Sequence, residues 1–127
     1  MAALVLDAGA LMAVDNHDRT TVLRLRAAQR RGIALRTSAI VVGEVWRDPQ
    51  GRQTQLARLL GAIDVRSVDL DLGRAAGVLV GRAGTDDPVD ATVVLIAETG
   101  DRILTSDPGD IDFLARAARK SVVVVAC

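Results

Sequence analysis

The sequence predicts an α/β domain, a three-layer α/β/α sandwich around a mainly parallel sheet, with residues 1–127 forming one unit. Two observations carry this expectation. Short apolar runs alternate with longer segments of helical period along the chain. The chain has 127 residues, half of them hydrophobic, with no internal repeat, low-complexity tract or proline-rich linker to mark a boundary.

The first apolar run, Ala2 to Leu6, reads as a strand ending at Asp7. Residues 18–31 place Val22, Leu25 and Ala28 on one side and arginines on the other, an amphipathic helix stopped by Gly32. Ile33 to Leu35 is the second strand. Ser38 can cap a helix running to about Trp46. A helix over 52–60, a strand from Ile63 to Val68 and a helix over 69–82 follow, the last weakened by Gly73 and Gly77. Asp87 and Pro88 form a cap and first-turn pair opening a helix to about Thr99, stopped by Gly100. Arg102 to Thr105 and Ser121 to Ala126 are the remaining strands. Between them, a helix after Pro108 turns Ile111, Leu114 and Ala118 toward the core.

Composition narrows the function classes. The single cysteine, Cys127, excludes an internal disulfide framework and any multi-cysteine zinc site, which fits a reducing cytoplasm. The apolar run at the start is too short for a membrane span and lacks the basic region of a signal peptide. Net charge is zero, but residues 1–60 carry nine arginines against five acids, and residues 61–127 carry seven basic residues against eleven acids. A phosphate-binding flank beside an acidic pocket would produce this asymmetry, and so would a general preference for arginine over lysine.

Four acids stand out. Asp7 and Asp107 follow strand ends, and if those strands are parallel neighbours both emerge at the carboxyl edge of the sheet, where open α/β sheets bind ligands. Glu44 follows Ile40 by four residues and Val41 by three, on the side of its helix expected to face inward, where a carboxylate needs a partner. Asp90 sits in the first turn of its helix and can project toward the same edge. Each has a structural alternative. Asp7 and Asp107 can cap the helices that follow, Asp90 can pair with the cap at Asp87 or favour the positive helix end, and Glu44 can pair with Arg36 or Arg47. Clustered carboxylates repel, and a divalent cation removes that conflict. An all-oxygen set suits Mg2+ or Mn2+, which can activate water for attack on a phosphodiester, leaving a 3′-hydroxyl and a 5′-phosphate.

At these residues the chain resembles the PIN-domain nucleases, and more narrowly the VapC-type toxins of toxin–antitoxin pairs. The resemblance is carried by LVLDAGAL with Asp7, SAIVVGEVWR with Glu44, GTDDPVDATVVLIAETG with Asp90, and ILTSDPGDI with Thr105 and Asp107. It implies a PIN-like fold and a homodimer, with dependence on magnesium or manganese. It also implies cleavage of RNA, and inhibition by a cognate antitoxin protein whose tail occupies the site. Where the family often has a hydroxyl or amide two residues after the first acid, this chain has Gly9, so water or backbone would have to supply that contact.

Around the quartet, Thr105 can bond a water of the ion or fill a strand end, Asp87 and Asp110 can contribute outer contacts or lie in solvated loops, and Arg47 is the preferred single phosphate contact. Arg19, Arg24, Arg26, Arg30, Arg31 and Arg36, with no acid between them, form either an RNA-facing surface or a solvated helix face. His17 reads as a loop residue, and with Trp46 and Phe113 as the only aromatics there is no platform for stacking bases. Val22, Leu25, Leu56, Leu59 and Leu60 can serve either a dimer surface or the core. Two other readings compete with the nuclease. A catalytically silent interaction module would keep the fold and bind only a partner, and the presence of all four acids argues against such decay. A phosphohydrolase or receiver using Asp7 would want a second acid nearby or a late lysine, but Gly9 stands two residues on and Lys120 precedes the last strand.

Overall fold

The computed structural model describes residues 2–127, with the backbone alone for Pro49. Five strands form one all-parallel sheet in the order β3-β2-β1-β4-β5: β1 (Leu4–Leu6), β2 (Leu35–Ser38), β3 (Asp64–Arg66), β4 (Arg102–Thr105) and β5 (Val123–Ala126). Between them lie α1 (Ala8–Asp15), α2 (Arg19–Arg30), α3 (Ala39–Val45), α4 (Thr54–Leu60), α5 (Leu70–Ala83), α6 (Pro88–Ile96) and α7 (Pro108–Ala117). The chain steps one way across the sheet from β1 to β3 and the other way from β4 to β5. Right-handed crossovers therefore assign α1 to α4 to one face and α5 to α7 to the other. The packing agrees, since α1 contacts α2, α3 and α4 while α5, α6 and α7 contact one another.

Apolar side chains of the three central strands fill the space between the layers. Val5, Leu6, Ile103 and Leu104 have no exposed surface, and Leu11, Val41, Leu56, Val93, Val94 and Ile111 meet them from the helices. Each such side chain contributes roughly 1.5–3 kcal/mol by leaving water. The outer strand β3 is exposed throughout.

Several boundaries differ from the sequence reading. The second strand runs Leu35–Ser38 rather than 33–35, because Ser38 ends the strand and also caps α3, its hydroxyl accepting from the Val41 amide at 3.3 Å. α6 stops at Ile96, short of Thr99. There the Lys120 ammonium donates to the carbonyls of Leu95, at 2.6 Å, and Ala97, and Asp101 accepts from the Glu98 amide at 2.8 Å. α5 is continuous through Gly73 and Gly77, begins at Leu70 with Asp69 as its cap, and ends on Gly84 in the left-handed conformation. Arg36 leaves the arginine run entirely. It is 8% exposed and pairs with Asp101 at 3.2 Å and Asp64 at 3.1 Å, so it serves the interior.

Candidate active site

Parallel pairing of β1 with β4 in the register Leu6↔Leu104 brings the residues after both strands to one edge. Asp7 is only 3% exposed there. One of its oxygens accepts from the Ala10 amide at 2.8 Å, capping α1, and the other accepts from the Thr105 hydroxyl. Thr105 is fully buried and also accepts from the Asp107 amide at 2.8 Å. One hydroxyl thus links the two acids. Burial pushes the Asp7 carboxyl up, against the opposing bonds from Thr105 and the amides of Ala10, Ser106 and Gly9. No arginine, lysine or histidine pairs with it among the described residues.

Asp107 occupies the cap position of α7 but makes no side-chain cap bond, leaving its carboxylate exposed and free of that role. Asp90, half-buried in the first turn of α6, is pushed up to about 7, first by burial and then by the charges of Asp87, Asp7 and Asp107. Asp87, Asp7 and Asp107 are thus near enough to Asp90 to act on its charge. Asp87 is the cap of α6, accepting from the Val89 and Asp90 amides at 3.0 and 3.1 Å, and adds its charge to the group. Asp110 is exposed and is raised by its hydrogen bond and charge contact with Asp107.

Glu44 does not face the core. The buried stripe of α3 is Val41 and Val45, whereas Ile40 is 43% exposed and Glu44, four residues on, shares its outward face. Nor is Glu44 among the charges acting on Asp90. Among the described residues, no three His, Cys, Asp or Glu side chains are grouped closely enough to hold a metal ion. Arg47 is exposed and folds its guanidinium back on the carbonyls of Gly43, at 3.0 Å, and Trp46, at 2.7 Å, with no bond to Glu44 or Asp48. His17 lies exposed in a left-handed turn after α1.

The space that a side chain at Gly9 would enter is taken by Ser106. A Cβ there would stand 1.9 Å from the Ser106 hydroxyl oxygen and 2.5 Å from its Cβ. A hydroxyl from the residue after β4 thus occupies the space beside Gly9, and the amides of Gly9 and Ser106 bond Asp7. Sequence pattern alone does not expose this contact, because the two positions lie far apart in the chain. Also missed was Gln53, whose amide nitrogen donates to Asp15 at 3.1 Å and the Val45 carbonyl at 2.9 Å, and whose oxygen accepts from the amides of Arg47, at 2.7 Å, and Asp48. It ties the end of α3 to α1. At the start of α3, the hydroxyls of Ser38 and Thr92 meet at 2.9 Å and join it to α6.

The chain superposes on one from the crystal structure of VapBC2 from Rickettsia felis bound to a DNA fragment from their promoter. The TM-score is 0.69 over 97% of this chain and 98% of that one, at 12% sequence identity. The fold is PIN-like. Neither a protein-family model nor a curated protein sequence matches the chain. At this identity the likeness establishes the PIN-like architecture, and activity has to be argued from the site.

Proposed function

We propose that this PIN-like chain is a divalent-metal-dependent endoribonuclease, the toxin of a toxin–antitoxin pair. The observation that carries the reading is the convergence of Asp7, Asp90 and Asp107 at the carboxyl edge of the sheet without a cationic side chain to neutralise them. Capping accounts for one oxygen of Asp7 and does not account for Asp107. Asp90, raised by burial and by its neighbours' charge, and Asp7, raised by burial, are groups that gain from a cation.

The donor chemistry, carboxylate oxygen throughout, is of the kind that magnesium or manganese takes, although no three of these side chains lie close enough together among the described residues to hold an ion. Asp7, Asp90 and Asp107 would hold the ion, with Glu44 joining from α3 through its exposed side chain. A bound divalent ion supplies the charge that acidifies a water and offsets the phosphate during hydrolysis. The chain does the positioning. Thr105 fixes one oxygen of Asp7 and, through the Asp107 amide, the start of α7. Arg47, whose Nε and Nη2 make no bond within the described residues, can turn a guanidinium edge to phosphate. Water attacks phosphorus, the bond to the 3′ oxygen breaks, and the products are a 3′-hydroxyl and a 5′-phosphate.

Purified chain incubated with cellular RNA and Mg2+ or Mn2+ should cleave it, and Asp7→Asn should not. Equal cleavage by both would overturn the reading. The VapBC2 neighbour motivates an antitoxin partner, expected from a small adjoining gene. Co-purification of that product, with loss of cleavage in the complex, tests this part. No helix among the described residues is long and apolar enough to cross a membrane, and a homodimer in the cytoplasm completes the proposal. One observation favours a catalytically silent module instead: Glu44 is not among the charges that act on Asp90. Absence of cleavage under every metal condition, with partner binding retained, would select that alternative.

A further inference from the structure

The register Leu4↔Arg102↔Val123 sets these side chains level on one face of the sheet, and Val125 follows on the same face two residues along. Beside them runs α2, whose Ala27 and Ala28 are too small to fill the space. A cleft of about 590 Å³ remains between α2 and the β4–β5 side of the sheet. Its floor is apolar, with Leu4 and Val125, and Arg24, Arg31 and Arg102 stand around it.

All three guanidinium groups belong to exposed residues, and none meets a carboxylate within ion-pair distance among the described residues. No acid among the described residues lines the cleft. Arg36, Arg66 and Arg116, by contrast, are all paired. Arg24 and Arg31 are two helical turns apart, about 10 Å along α2. Ala2, Ala3, Ile33 and Arg102 line the cleft at the amino end of the strands, and Arg24 stands at the end nearer the carboxyl edge. Arg24 donates to the Ala126 carbonyl at 3.0 Å, the next residue's amide donates to the Thr105 carbonyl at 2.9 Å, and Thr105 holds Asp7.

We propose that this cleft binds the phosphodiester backbone of single-stranded RNA, an inference that rests on the ribonuclease reading. Guanidinium forks match phosphate oxygens, while the arginine stems and the apolar floor accept ribose and base surfaces. A second copy of the chain is a poorer occupant, because a two-fold contact centred on the cleft would set the three arginines against their own counterparts.

The test uses the full chain in chelator, so that binding is read without cleavage. A short fluorescent single-stranded RNA is titrated by anisotropy from low to high salt, with R24Q/R31Q/R102Q and R74Q/R82Q, the latter on α5, compared to the parent. The cleft triple should bind more weakly and lose about 2 from the steepness of its log–log salt dependence, at about 0.7 per phosphate contact. The α5 pair should match the parent. Ala27→Glu, which removes no arginine but adds a carboxylate to the cleft, should also weaken binding. An unchanged salt slope in the triple, or equal losses in the α5 pair, would overturn the proposal. So would a change in sedimenting mass in place of a change in RNA affinity, which would assign the face to a second copy. Displacement by polyglutamate of a bound fraction that RNA does not compete for would assign it to an acidic protein. Cleavage with metal is measured separately. An intact salt effect without cleavage would sink the nuclease reading alone, and cleavage with no salt effect would sink the cleft alone.

Discussion

At Asp90, burial and like charge act in the same direction. With its carboxyl pushed up to about 7, the folded chain keeps a proton that the unfolded chain has lost between about pH 4 and 7. Stability therefore falls as pH rises through that window, and the penalty is absent below it. Asp90→Asn should flatten this part of the profile and stabilise the apo protein near pH 8 by about 1–2 kcal/mol, after allowance for solvent screening. Thermal melts across pH check it, and a parent profile as flat as the variant's would contradict it. Mn2+ should raise the melting temperature of the parent more near pH 8 than near pH 5, since the ion competes with the proton. At Gly9, a serine collides with Ser106 and should cost about 1–3 kcal/mol, largely recovered by adding Ser106→Gly. Additive losses in urea titrations of the single and double variants would show that the two positions do not share one space.

Elements explain what was legible in the sequence and what was not. Alternation of apolar runs with helical segments was enough for the strand sequence and sheet class, because a central parallel strand such as β1 must be apolar on both faces. The end of α6 was misjudged because it is set by Lys120, a residue distant in sequence. Glu44 was misread for a different reason. The helix is short, and taking Ile40 as a core position rotates the expected face, whereas Val41 and Val45 hold that place. An exposed Glu44→Gln should change stability by less than about 0.5 kcal/mol, so any large effect on cleavage would belong to the site. Arg36 bridges β2 to the turn before β4 through Asp101, itself 3% exposed and accepting from the Ala3 amide at 2.8 Å. Arg36→Ala should cost about 3–5 kcal/mol by leaving that carboxylate unpaired in the interior. A loss below 1 kcal/mol in chemical denaturation would mean that the pair is dispensable.

For the whole molecule, the uneven charge of the two halves becomes spatial. Arginines of α2 join Arg102 around a cleft on one side of the sheet, while the acids of β1, α6 and β4 meet at its carboxyl edge. Composition showed the asymmetry but not this arrangement, which depends on the register of β1 with β4 and β5. The acidic edge was legible because strand ends locate it, and the fold it implies is shared with the Rickettsia felis structure at 12% identity. The central claim is that those acids, loaded with a divalent ion, hydrolyse RNA. Its most direct test is cleavage of a labelled RNA pool by the parent, Asp7→Asn and Asp107→Asn proteins, each with chelator and with Mn2+ added back. The account predicts 5′-phosphate products from the parent with Mn2+ only, and a loss of roughly 100-fold or more in each variant. Cleavage that persists in chelator, or that survives both substitutions, would contradict it.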